Sequence, residues 1–167
     1  MNKRVADALI KQVNKEFFSA YLYLAMEQHL EADGMSGMAN WMHQQFLEEQ
    51  FHANKMMKYI NARGSKVVLE QIDQPKVEWD SIADIFDDVL EHEKSITESI
   101  NAIQVIAVEE NDFATMSFLQ WYIDEQIEEE ENAEAIIKQI SLIGDNGYGL
   151  LMLDKEMAQR TFTQPAE

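Results

Sequence analysis

The stretch IADIFDDVLEHEKSITESINAIQVIA, residues 82–107, decides the fold. Read at alternating steps of four and three, it puts Ile82, Phe86, Val89, Glu93, Ile96, Ile100, Ile103 and Ala107 on one side. That is the period of a helix whose apolar stripe lines a bundle core. The stripe is aliphatic or aromatic everywhere but at Glu93, and a lone carboxylate in an apolar core is costly. The rest of the chain must therefore supply what compensates it.

Working outward, the same helical period recurs over about residues 3–33, 38–63, 81–111 and 113–143, with a shorter segment at about 148–160. Gly34-Met35-Ser36-Gly37 makes a turn so short that the first two helices run antiparallel. Asp80 or Ser81 caps the third helix, with Asp84 at the three-residue offset of a capping box. Residues 64–80, with Pro75 among them, lose the period and are long enough to travel the length of a bundle. Gly144-Asp145-Asn146-Gly147 then breaks the chain before LLMLDKEMAQR and a polar tail containing Pro165. The expected fold is all-α: an antiparallel four-helix bundle with a long crossover between helices 2 and 3 and a short C-terminal fifth helix, one domain over residues 1–167.

Each long helix interrupts its own seam. The first carries Gln12 and Glu16, with Tyr23 two turns beyond; the second carries Gln45, Glu49 and His52; the fourth carries Gln126 and Glu129. Glu49 and His52 form an E-x-x-H pair one turn apart on one face, and Gln126 and Glu129 a Q-x-x-E pair at the same offset. Four inward carboxylates cannot all stay ionised side by side without compensation, because desolvation and mutual repulsion both favour protonation. Glu16, Glu49, Glu93 and Glu129 carry four negative charges, which two divalent cations cancel. Oxygen donors with one imidazole suit Fe(II) or Mn(II), whereas zinc more usually recruits further His or Cys.

Composition agrees. The 167 residues include no Cys, which removes thiolate metal sites and disulfides and fits a cytoplasmic setting. A net charge of -18 argues against nucleic acid as a partner, since phosphate contacts need clustered Lys and Arg. The opening MNKRVADALIKQ interleaves polar with apolar residues and reads neither as a signal peptide nor as a membrane span, and no other stretch could cross a bilayer.

Three runs, NKEFFSAYLY around Glu16, LEEQFH ending at His52, and FLQWYIDEQIEEE from Phe118 to Glu130, with Glu93 between them and GLLMLDKE near the end, resemble a bacterial non-haem ferritin subunit over nearly the whole chain. The four-helix carboxylate arrangement is itself typical of ferritin-like di-metal proteins, here with one E-x-x-H altered to Q-x-x-E. The resemblance implies iron storage with ferroxidase activity, Fe(II) being oxidised by O2 or H2O2 and mineralised inside a hollow cage of twenty-four copies of this chain. It implies that Glu16, Glu49 and His52 bind a first iron, that Glu49 bridges, that Glu93 and Glu129 bind a second, and that Gln126 lies beside the pair. It further implies a third iron site from Glu48, Glu125 and Glu128, sharing Glu129, with Tyr23 near the pair as electron donor or hydrogen-bond partner and Trp121 a weaker redox candidate. Bacterioferritins place a haem-ligating Met just after the bridging Glu; Gln50 stands there in this chain, so no haem is expected. The DNA-protecting miniferritins, which lack a fifth helix, are not matched.

Two other classes stay open at this point. A different di-iron or di-manganese redox enzyme fits the same bundle, and a non-catalytic acidic bundle fits if water and neighbours satisfy the inward Glu. Glu48, Glu125 and Glu128 taken alone read equally well as a solvated helix face, and Tyr23 and Trp121 as core aromatics.

Overall fold

In the computed structural model, residues 1–164 are described; the expected tail at Pro165 lies outside them. Among the described residues the chain forms five helices and no strand: α1 (Lys3–Ala32), α2 (Ser36–Ala62), α3 (Ile82–Glu109), α4 (Phe113–Ile143) and α5 (Gly147–Met157). None of them is long and apolar enough to cross a membrane.

Local chemistry sets the ends. Gly34 turns left-handed at φ 78°, and the Met35 N–H closes α1 by donating to the Leu30 carbonyl at 2.9 Å. At the far end of α3 that conformation falls on Asn111, φ 54°, a residue type that tolerates it better than most. Asp112 follows at once and caps α4 through the Thr115 N–H at 3.1 Å. Its carboxylate also takes a two-pronged bond from Arg63, at 3.1 and 3.2 Å, which ties the end of α2 to the α3–α4 turn. Ser81, whose hydroxyl accepts from the Asp84 N–H, caps α3.

α1 packs most extensively on α2, and α3 on α4, so the bundle is two helical hairpins. The crossover joining them runs largely exposed along α1. The Asn14 side chain holds it by donating to the Gln71 carbonyl and accepting from the Glu70 N–H. Pro75 and Trp79 are its buried anchors, and the Trp79 indole N–H donates to Asp88 at 2.7 Å.

The interior is divided. One apolar cluster, including Leu22, Met42, Phe86 and Ala133, fills the half where α1 ends and α2 begins. A second, including Val5, Met56, Ile100 and Leu119, fills the other half. Between them the mid-helix seam positions are polar and buried: Gln12, Glu16, Gln45, Glu49, His52, Glu93, Gln126 and Glu129.

α5 folds back on the start of α2. Met35, the residue before α2, offers no side-chain cap. Asp154 of α5 takes that role, its carboxylate accepting from the Met38 N–H at 2.8 Å. The approach requires a glycine, because a Cβ on Gly37 would lie 1.7 Å from the Asp154 carbonyl oxygen. Gly37→Ala is expected to displace α5 and cost about 2 kcal/mol, the usual size of an overpacking penalty. A chemical denaturation midpoint equal to that of the parent would show that the contact does not hold α5.

Candidate metal centre

The polar layer is assembled by helix register, each long helix delivering its seam carboxylate at mid-length. Glu16, Glu49, His52 and Glu93 are each no more than 2% exposed, and Gln126 and Glu129 each 4%. One ligand atom each from Glu16, Glu49 and His52 lies within 4.8 Å of the other two. Glu93 and Glu129 approach from α3 and α4, near enough that both charges bear on Glu49.

Hydrogen bonds from neighbouring side chains hold Glu16, Glu93 and Glu129. Gln12, one turn before Glu16, donates to it at 3.0 Å. Gln45, one turn before Glu49, reaches across to donate to Glu129 at 2.8 Å. Glu93 accepts from the Tyr23 hydroxyl at 2.5 Å and from the Gln126 amide at 3.0 Å. The Gln126 amide also bonds the Glu93 carbonyl, so its NH2 end is turned to Glu93. Tyr122 donates its hydroxyl to the backbone carbonyl of His52 at 2.8 Å, holding the turn of α2 that carries the imidazole. Tyr23 belongs to one apolar cluster and Tyr122 to the other, so each core lends the layer one hydroxyl.

The electrostatics are those of carboxylates lacking a counter-charge. Burial, then the charges of Glu93, Glu16 and Glu129, hold the Glu49 carboxyl well above the usual range. Burial and the Glu93 charge push Glu129 up to about 8. Glu93 is raised by burial as well, although the bonds from Tyr23 and Gln126 offset part of the rise. Burial, then the Glu93 charge, lifts the Tyr23 phenol well above its ordinary value, so it stays a hydrogen-bond donor at neutral pH.

Three side-chain atoms of this layer, Gln45 Oε1, Glu49 Oε2 and His52 Nε2, are shut from solvent with no hydrogen-bond partner, the last on the side of the ring that faces Glu125. Each such group costs about 1–3 kcal/mol if left unmatched. A cation taking oxygen and imidazole donors matches both the donor set and the orphaned carboxylate oxygen, so the residues present fit a metal.

The His52 ring faces two ways. Its Nδ1 lies 3.6 Å from Glu49 Oε2, and its Nε2 lies 4.0 Å from Glu125 Oε2. On that second side Glu48, His52 and Glu125 form another group of potential ligands within 4.8 Å. Glu128 is exposed on α4, and its charge, with that of Glu48, helps burial raise Glu125. The Trp121 ring sits edge-on to the imidazole, 5.3 Å between centroids.

Three residues gain a place here that sequence alone did not give them a role for. Gln12 and Gln45 stand on the seams as plain polar interruptions, one turn before an inward Glu, and that offset is the signal that could have marked them. Arg160, which bonds Glu48 at 2.9 Å, carries no local signal at all.

Comparison with known proteins agrees with this geometry. The family model of the ferritin-like domain matches residues 6–143. A bacterial non-heme ferritin of Staphylococcus epidermidis is 38% identical over 164 residues, covering 98% of this chain and 99% of its own. One from Staphylococcus aureus is 37% identical with the same coverage. Among solved structures, an Archaeoglobus fulgidus ferritin engineered to a closed form superposes with a TM-score of 0.96 at 43% identity, over 98% of this chain and 99% of that one. A humanized archaeal ferritin gives 0.97 at 42% identity, with the same coverage.

Proposed function

Because the chain belongs to the ferritin family, whose members store iron, we propose that its buried polar layer is a ferroxidase centre: two Fe(II) are the substrate, and O2 or H2O2 is the oxidant. The observation that carries this is the layer of four converging, buried carboxyl groups between two apolar cores, with Glu49 Oε2 left without a partner.

In this reading Glu16, Glu49 and His52 hold one iron, Glu93 and Glu129 the other, and Glu49 serves both because it lies among the remaining three carboxylates. Gln126 and Tyr23 act through Glu93, orienting it by the two hydrogen bonds described above; Gln45 and Gln12 do the same for Glu129 and Glu16. Tyr23 is also close enough to serve as an electron donor. Iron supplies the electrons: two Fe(II) reduce O2 to H2O2, or H2O2 to water, and the Fe(III) hydrolyses with release of protons. Carboxylates suit this step because they bind both oxidation states and shift between terminal and bridging modes. Glu48, Glu125 and Glu128 form a third, neighbouring iron site.

The whole chain acts as one domain, in a homo-oligomeric cage of twenty-four copies. Leu142, Tyr148, Leu151 and Met152, at or near α5, are 88%, 74%, 53% and 47% exposed, which supports a subunit contact there. The net charge of -18 draws Fe(II) toward the cage and favours nucleation of mineral on its lining. No haem is involved, and the location is cytoplasmic.

Fe(II) added aerobically to purified apo protein, followed by ferric absorbance and sizing, tests the reading. The expected result is rapid oxidation with iron retained at the size of a large assembly. A bundle of monomer size that neither oxidises nor retains iron would refute it.

A further inference from the structure

The segment 158–162, just beyond α5, is held in place. It runs as a strap along one face of α2, the face carrying Asn40, Gln44, Glu48 and Phe51 at successive helical turns. The Asn40 side chain donates to the carbonyls of Met157, Ala158 and Arg160 at 3.1–3.4 Å. Gln44 accepts from the Phe162 N–H at 2.8 Å, and the Phe162 ring lies against Phe51, 6.0 Å between centroids. Between these fastenings the Arg160 guanidinium stacks over Trp41 at 4.4 Å and sets Nη2 2.9 Å from Glu48 Oε2.

Glu48 belongs to the second group of potential ligands, with Glu125 and the unpartnered, 98%-buried Nε2 side of His52. The guanidinium is therefore a fixed positive charge held against one of three groups that would otherwise receive a metal ion. It is not fully committed there, because its Nη1 is buried and has no partner. It also has somewhere to go: Arg160 borders a groove of about 430 Å³ whose lining includes Gln139 and Glu156, an alternative carboxylate for the displaced charge. Its field reaches the dinuclear layer too, opposing the rise at Glu129.

We propose that Arg160 is a built-in, displaceable counter-cation for the Glu48–His52–Glu125 group, so that a divalent ion binds there only by taking Glu48 from it and lifting the strap. This rests on the reading of the polar layer as a metal centre and adds a gate at the group beside it. In the apo protein the guanidinium offsets the charge of Glu48; on loading, an ion must compete with a stacked, hydrogen-bonded Arg, so the third site fills after the pair and more weakly. Arg160 thus acts as a positioning residue through Glu48, not as a ligand.

Calorimetric titration of apo protein with Co(II) separates the sites. In the parent two tight sites and one weaker site are expected. In Arg160→Gln the weak site should tighten by about tenfold, with a much smaller change in the tight pair. Arg160→Lys, which keeps the charge, should return the weak site toward the parent affinity, an effect a purely structural role would not produce. Phe162→Ala, which loosens the strap but leaves the guanidinium, should move the weak site in the same direction as Arg160→Gln by less. Glu48→Gln should remove the weak site in every background, identifying it. Circular dichroism melting shows that each variant is folded. A weak site unchanged or weakened in Arg160→Gln, or absent from both parent and variant, overturns the gate while leaving the pair intact. Loss of the two tight sites from the parent itself would instead sink the metal-centre reading.

Discussion

Glu49→Gln is expected to lower the initial rate of Fe(II) oxidation by about 100-fold or more, while the apo protein folds as well as the parent or better. The first part follows from position. Glu49 is the carboxylate on which the charges of Glu93, Glu16 and Glu129 all bear, which in the proposed reading makes it the ligand shared by both irons. Changing an outer partner of a metal ligand already costs about 10–100-fold, and a shared ligand should cost at least the upper figure. The second part follows from the same crowding. The substitution keeps the shape, removes one of four mutually repelling acids, and gives the orphaned Oε2 position an amide donor that neighbouring carboxylates can use. His52→Ala should slow oxidation similarly, but with a cavity cost to stability that Glu49→Gln avoids. Stopped-flow absorbance on both variants, with thermal melting of the apo forms, checks the pair of effects together. Rates equal to the parent would place the chemistry elsewhere in the chain.

The apo protein should lose stability as pH rises from about 6.5 to 8, and Glu129→Gln should flatten that loss. Glu129 titrates near 8 in the fold against 4.5 as its ordinary value, so the folded state binds the extra proton between those limits. A raised acid contributes stability that is complete below its unfolded value and disappears as pH climbs through the folded one. Glu49 and Glu93 are shifted in the same direction and add to the slope. His92 works the other way. Burial, with the nearby Lys15 charge, depresses it from 6.5 to about 4, so its contribution grows with pH up to about 6.5 and then stops. The window above 6.5 therefore isolates the carboxylates. There the Glu129 proton alone is worth about 2 kcal/mol, or roughly 4–8 °C in melting temperature for a chain of this size. Saturating divalent metal should reverse the trend, because the ion replaces the protons and competes best when they are scarce. Apo melting that holds level or rises from pH 6.5 to 8, or the same slope in Glu129→Gln, would show that these carboxyls are not held protonated by the fold.

These two results depend on residues that the linear sequence exposed to different degrees. Helical register is a local property, so a seam read at steps of three and four already says that Glu16, Glu49, Glu93 and Glu129 face inward. The ends of the helices are equally local: Gly34 for α1, Ser81 for α3 and Asp112 for α4 act within a few residues of themselves. α5 is where local reading strays. Its regular part stops at Met157 rather than near 160, because Asn40 of α2 takes the carbonyls at that end and draws the chain into the strap.

Which atoms pair inside the layer is another matter. Nothing in Q-x-x-E says that the amide of Gln126 turns its NH2 to Glu93, or that Gln45 reaches from α2 to Glu129 of α4. Nothing in E-x-x-H says that His52 presents one nitrogen to Glu49 and the other to Glu125. These are decided by how far apart the helices stand and at what height they meet, which packing of the two apolar cores sets.

The sequence by itself therefore determined the bundle, its crossover, and one inward carboxylate per long helix, because each is written in spacing along a single helix. The tertiary structure alone decided the hydrogen bonds that hold those carboxylates, the two faces of His52, and the closure of the second group by Arg160. That last contact joins residues 112 positions apart. No periodicity spans such a distance; only the folding of α5 onto α2, through Gly37 and Asp154, brings the guanidinium to Glu48.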